Sequence, residues 1–138
     1  MQEKEIEKKL REGIERLGGR AYKFISPGNR GVPDRIIALP GARLAFVELK
    51  RDEGELSGLQ KVQIRKLTQM GFDVWVLYGM DQVEAFLLEM AGRMFTEGMA
   101  EGLEGAASAA DAETRGGGGR EIFPARLSEE GSLFYPGA

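Results

Sequence analysis

The chain has 138 residues, a formal charge of −3, and neither cysteine nor histidine. That length points to one domain with a modest core. The missing residue types exclude disulfides, thiolate or imidazole metal sites, a cysteine nucleophile and a Ser-His-Asp triad. Chemistry must then come from carboxylates and lysines, with an oxygen-ligated hard metal ion as the matching cofactor class. No apolar run approaches the roughly 20 residues that a membrane helix needs. The charged start Met1-Gln2-Glu3-Lys4-Glu5 does not read as a signal peptide, so the expected setting is cytoplasmic, with no membrane partner.

Ile6, Leu10, Ile14 and Leu17 fall on one helical stripe that stops at Gly18-Gly19. Ala21 to Ile25 reads as a short strand, and the following Ser26-Pro27-Gly28-Asn29-Arg30-Gly31-Val32-Pro33 as a loop dense in turn formers. Residues 35–39 and 44–50 form two strand-like runs. Pro40-Gly41 between them fits the centre of a type II turn, which predicts a hairpin pairing residue 39 with 42 and 37 with 44. Ser57 can cap a helix running to about Met70, stopped by Gly71. Phe72 to Tyr78 is a strong strand, and Asp81 with Glu84 opens a last helix carrying Val83, Phe86, Leu87 and Met90. The order αβββαβα implies an α/β fold, a mixed sheet flanked by helices.

Charge divides the chain. Residues 1–88 carry 15 Lys+Arg against 13 Asp+Glu, whereas residues 89–138 carry 4 against 9 and half of the 20 glycines. Such a Gly-rich acidic stretch lacks the apolar area to offset the cost of ordering it. The boundary is therefore set after residue 95, with 96–138 read as a disordered tail. Its small apolar clusters, Ile122-Phe123 and Leu133-Phe134-Tyr135, are the only hint of a docking peptide.

Chemistry concentrates at Gly31-Val32-Pro33-Asp34 and Val47-Glu48-Leu49-Lys50. Alternation along a strand puts Glu48 and Lys50 on one side and Leu49 on the other. The hairpin brings Asp34 near Glu48, and two converging carboxylates suit a divalent cation. A lysine on the same face can then hold or deprotonate a water for attack on a phosphodiester. Taken alone, a Glu-x-Lys pair is usually a solvated ion pair worth less than about 1 kcal/mol, and Pro-Asp is commonly a turn. Their combination carries the signal.

The block Ser26 to Asp34, then Phe46-Val-Glu-Leu-Lys50, then Leu56-Ser-Gly-Leu-Gln60 resembles the VRR-NUC branch of the PD-(D/E)xK nucleases, over about Glu3 to Leu88. The resemblance implies a restriction-endonuclease-like core and a Mg²⁺- or Mn²⁺-dependent DNA endonuclease. It further implies selectivity for branched DNA, a Holliday junction or flap, in phage or host replication, recombination or repair. Family members of this size are often carried by phages and form homodimers. By position, Asp34, Glu48 and the Leu49 carbonyl match the metal ligands, Lys50 the catalytic lysine, and Gln60 a glutamine able to orient the lysine or contact phosphate, with Gln63 as runner-up. Gly58 stands where the family often has Pro. Glu3 matches the acid of the first helix, and its place one turn before Ile6 and Glu7 puts it on the inward stripe; Glu5 and Glu7 are the alternatives.

Basic residues from Lys23 to Lys66, among them Arg30, Arg35, Arg43, Lys61 and Arg65, surround this site in sequence. Asn29, Arg30, Lys61 and Arg65 are the expected phosphate contacts, which position a backbone without reading bases. A surplus of two positive charges gives little long-range pull, so dimerisation or a partner such as a helicase would supply the rest. The candidate dimer surface is the Phe72–Tyr78 strand with the last helix, where Trp75, Phe86, Met90 and Met94 look abundant for one small core. A non-catalytic DNA-binding scaffold of the same fold is the rival reading. A decayed member should have lost its acids or lysine, and here all are present.

Overall fold

The computed structural model describes residues 3–100 and 121–136. It contains α1 (Glu3–Arg16), β1 (Arg20–Lys23), β2 (Arg35–Leu39), β3 (Arg43–Lys50), α2 (Gly58–Gln69), β4 (Asp73–Tyr78), α3 (Gly79–Ala100), β5 (Arg126–Leu127) and β6 (Leu133–Phe134). The first seven follow the expected αβββαβα order. The main sheet runs β1-β2-β3-β4, antiparallel through the first three strands, with β4 parallel to β3. A parallel pair needs a crossover, and α2 supplies it.

Alternating side chains divide the core into two layers. Ile37, Ala45, Val47, Trp75 and Leu77 pack with Ile6, Leu10 and Ile14 of α1 and Val83, Phe86 and Met90 of α3. Each fully buried side chain of the α1 stripe stabilises the fold by about 2 kcal/mol. On the other side, Phe46, Val74, Val76 and Tyr78 pack with Leu56 and with Ile64 of α2. Trp75, Phe86 and Met90 are thus consumed by the core, at 2% exposure or less, which removes them from the expected dimer surface. Of the apolar side chains left open, Phe72, Leu88 and Phe95 lie within that expected surface and Tyr22 and Leu44 lie elsewhere, all of them about half exposed.

The β2–β3 hairpin departs from expectation by one residue, and the site depends on it. Leu39 pairs with Arg43 and Ile37 with Ala45, so the loop has three residues, Pro40-Gly41-Ala42, instead of two. Gly41 and Ala42 both take positive φ, 85° and 60°. With the two-residue loop, Asp34 would stand opposite Val47 and face the α1 layer. In the observed register Arg35 faces Val47, and the next pair outward is Asp34 with Glu48. A slip of one residue exchanges the two faces of a strand.

The C-terminal region also differs from expectation. Residue 96 falls within α3, and residues 121–136 are built onto the domain. Ala125 donates its N–H to the carbonyl of Val74 (2.6 Å) and is buried in the α2-side core, with Leu133 and Tyr135 against it. The stretch 101–120, which holds Gly116 to Gly119, lies outside the described residues. Averaging composition over residues 89–138 merged stretches with different content.

Ala42 is the one described non-glycine residue at positive φ, which disfavours any residue with a Cβ. Ala42→Gly is expected to raise the unfolding free energy by about 1 kcal/mol, and Ala42→Val to lower it by at least about 1 kcal/mol. Urea denaturation of the two variants against the parent chain measures both.

Candidate active site

The register places Asp34, Glu48 and Lys50 on the α2 face at one end of the sheet. Asp34 precedes β2 and accepts the Leu49 N–H on Oδ1 (3.2 Å). Burial is the main reason its carboxyl is raised above the usual range, with the Leu49 amide and Arg35 opposing and the charge of Glu7 adding a little. Glu48 is only 5% exposed. Its carboxyl is pushed up to about 7, first by burial and then by the like charge of Asp34, with Lys50 pulling the other way. Lys50 Nζ stands 3.8 Å from Glu48 Oε2.

Gln60 completes the group from α2. Its Nε2 donates to Glu48 Oε2 (3.0 Å). Its Oε1 accepts the Ser57 N–H (2.9 Å), while Ser57 Oγ accepts the Gln60 N–H (3.1 Å). This reciprocal capping box starts the helix and locks the amide, since its oxygen is held by a donor and only the nitrogen can face Glu48. Sequence reasoning had linked Gln60 with the lysine or a phosphate; its observed partner is the buried carboxylate. Gln63 is half-buried and is not among the contacts of this cluster.

Two glycines shape the loop before Asp34. Gly28 and Gly31 have φ of 84° and 94°, and a Cβ on Gly31 would come 2.6 Å from the backbone carbonyl of Leu59. The loop therefore rests directly on the first turn of α2. Asn29 and Arg30 are exposed on it, and Lys61 and Arg65 are exposed on α2. These four expected phosphate contacts thus sit on two touching segments. Arg43, in contrast, begins β3, at the other end from Lys50.

Behind Asp34 stands an ion pair that spacing alone did not reveal. Arg35 is 9% exposed. It pairs with Glu7 of α1 and donates from Nη1 to the Asp34 carbonyl (2.9 Å), with the Asp34 carboxylate 3.9 Å away. Glu7 is therefore the α1 acid that reaches this part of the molecule. Glu3 and Glu5 are exposed in the first turn of the helix. The available signal was an arginine on the inward face of an apolar strand, which demands an acidic partner from the element packed over it.

The donors available to a metal are two carboxylates and main-chain carbonyls, Leu49 being the sequence-derived choice. Among the described residues no group of three or more acidic side chains is arranged to hold an ion. Two carboxylates fit Mg²⁺ or Mn²⁺, which keep several waters and take further oxygens from a substrate phosphate. The shared repulsion that lifts Glu48 is a deficit of positive charge that a divalent ion would fill.

No protein-family model matches the chain. It is 42% identical over 81 residues, 59% of its length and 87% of the relative's, to "Putative nuclease p44" of Acyrthosiphon pisum secondary endosymbiont phage 1. A solved structure of a VRR-NUC domain superposes with a TM-score of 0.59 at 28% identity, covering 62% of this chain and 92% of that one. With the same four-stranded mixed sheet and flanking helices, and a relative matched over most of its length, the chain belongs to the VRR-NUC family of nucleases.

Proposed function

We propose that this protein is a Mg²⁺- or Mn²⁺-dependent endonuclease that hydrolyses phosphodiester bonds in DNA, with branched DNA as its preferred substrate. One observation carries the reading: Asp34, Glu48, Lys50 and Gln60 meet on one face of the sheet, two acids burdened by burial and like charge beside an ammonium group. Asp34 and Glu48 would hold the ion, with the Leu49 carbonyl. The ion supplies neutralisation of charge on the phosphate oxygens and a lowered pKa for water.

The protein groups divide the remaining work. Gln60 fixes Glu48 Oε2, leaving Oε1 for a cation. The Leu49 amide fixes Asp34 Oδ1. Lys50 Nζ, near Glu48 and one-fifth exposed, can hold the attacking water by one oxygen lone pair while the other points at phosphorus. The water's proton passes to solvent, its oxygen attacks phosphorus in line, and the bond from phosphorus to the sugar oxygen breaks as that oxygen takes up a proton from solvent. Arg30, Asn29, Lys61 and Arg65 would position the phosphate backbone without reading bases, which suits a substrate chosen by shape.

The folded part carries few surplus positive charges, so a second copy is the economical way to widen the footprint. Tyr22 and Leu44 lie on the same sheet face as Phe46, and with Phe72, whose ring meets Phe46 edge-on, they form the exposed apolar strip that a homodimer would cover. A helicase or another replication or recombination partner is the alternative source of substrate grip. No helix among the described residues is long and apolar enough to cross a membrane, and the reading places the protein with DNA in a bacterial or phage-infected cell.

Cleavage assays on labelled four-way junction, flap, nicked and linear duplex DNA test this, each with Mg²⁺, Mn²⁺ or EDTA. Branched substrates are expected to be cut in either metal and left intact in EDTA. Asp34→Ala should abolish cutting, and Lys50→Ala should slow it roughly 100-fold or more. Gln60→Ala should cost about 10- to 100-fold through its hold on Glu48. Tight binding without cleavage in any metal would instead establish the scaffold reading.

A second expectation follows from Glu48, whose carboxyl is at about 7 in the folded chain against an ordinary value of 4.5. Between those values the folded state keeps a proton that the unfolded state has released. Metal-free protein therefore loses stability as pH rises across this window, and Asp34, also raised, adds in the same sense. Glu48→Gln is expected to flatten that slope and raise Tm at pH 8, measured by calorimetry in chelator. Added Mn²⁺ at pH 8 should raise Tm of the parent chain and leave Glu48→Gln unmoved. Equal slopes in both proteins would remove Glu48 from the site.

A further inference from the structure

The C-terminal segment 121–136 lies beyond the elements that build the site, yet it is constructed with care. Its hairpin is closed by Ser128, which donates its N–H to the Ser132 carbonyl (2.9 Å) and accepts the Ser132 N–H on Oγ (2.9 Å). Gly131 takes the positive φ that the turn needs. The Arg126 guanidinium covers the ring of Phe123 at 4.9 Å.

Its seat is the outer edge of β4, the last strand of the sheet. An edge strand presents unpaired backbone groups, and the Ala125 N–H meets one of them at Val74. The segment also spans both layers: Ile122 packs with the α1/α3 core, while Ala125, Leu133 and Tyr135 pack with the core beneath α2. Beyond its first turn, which meets the Gly28–Gly31 loop and Glu48, helix α2 has little else to hold it. Ile64 is its one fully buried side chain, Leu67 is partly buried, and Leu59 and Val62 are largely exposed. A helix resting on an edge strand has an open flank, and here residues 125–135 close it.

We infer that residues 121–136 are a positioning strap that clamps α2 on the sheet and so holds Gln60 against Glu48. The strap acts through the helix. Twelve residues of helix bend little, so seating its core-facing residues Ile64 and Leu67 sets the angle at which the first turn meets β3. The inference rests on the nuclease reading only for its effect on cleavage.

The test uses the full chain with Ala125→Glu, which puts a charge into the buried seat, the milder Tyr135→Ser, and the conservative Ala125→Gly. Hydrogen exchange read by mass spectrometry is expected to speed up about 10-fold or more across residues 61–69 in Ala125→Glu, less in Tyr135→Ser, with α1, β2 and β3 unchanged, because local openings are independent of global unfolding. Ala125→Gly should exchange like the parent. In cleavage assays Ala125→Glu should lower kcat about 10-fold with KM unchanged, and adding it to Gln60→Ala should cost nothing further. Uniform loss of protection across all elements in Tyr135→Ser, unchanged exchange in α2, or losses that add to those of Gln60→Ala would each overturn the strap. A parent chain that cuts no DNA while α2 loosens as described would overturn the nuclease reading and leave the clamp standing.

Discussion

Two carboxylates that repel each other in a buried place are the constraint around which this molecule is arranged. Asp34 and Glu48 face one another because the β2–β3 loop has three residues. Each is raised by desolvation, and Glu48 also by its neighbour. Left alone, such a pair would be neutral or would unfold the sheet end. What surrounds it is a set of partial remedies: the Leu49 amide on Asp34, the Gln60 amide and Lys50 ammonium on Glu48, and Arg35 behind the hairpin. None of them is a full counter-charge to the pair, and on the proposed reading a cation would supply the rest.

Much of this was legible in the chain, and the parts that were not share a physical reason. The α1 stripe, the Gly-terminated helices and the aromatic run Phe72 to Tyr78 are local patterns, and each produced the expected element. Ser57 was legible as a helix cap, since that motif is closed within one turn, whereas the acceptance of its N–H by the Gln60 side chain was not. Register was not. Pro40-Gly41 looks like the centre of a two-residue loop, and only the packing of both strand faces selects Ala42 as the third loop residue, at a positive φ that its side chain resists. The same limit explains Glu3 against Glu7. Both lie on the inward stripe, but the partner that distinguishes them, Arg35, sits 28 residues away from Glu7 in sequence and is brought close only by the sheet.

Composition misled where it was averaged. Acidic and glycine-rich content across residues 89–138 outweighed the apolar clusters around Ile122 and Leu133, whose worth depends on β4 being an edge strand with α2 half-supported above it. An apolar cluster has no assignment until the surface it fits is known. The reverse happened with Trp75, Phe86 and Met90: they looked surplus to a small core because the core's true size, with α1 and α3 packed together against one face of the sheet, was not visible in one dimension.

The lysine and the metal can be weighed against each other from the same geometry. Lys50 is the nearest positive group to Glu48, but at 3.8 Å it falls short of a hydrogen bond, and the Glu48 carboxyl still rises to about 7. Were the ammonium meant to neutralise the acids, a closer bidentate arrangement on an arginine would serve better. Arginine is present one strand away and is spent on Glu7 and the Asp34 carbonyl instead. On the proposed reading the lysine is thus close enough to feel the site and loose enough to act on a third body, a water or a phosphate oxygen. On the same reading Asp34 and Glu48 are the groups that would hold a divalent ion, releasing a proton as they do so. With the Glu48 carboxyl raised to about 7, that proton would be given up most readily near neutral pH or above it, and a substrate phosphate would add its own oxygens to those of the two acids.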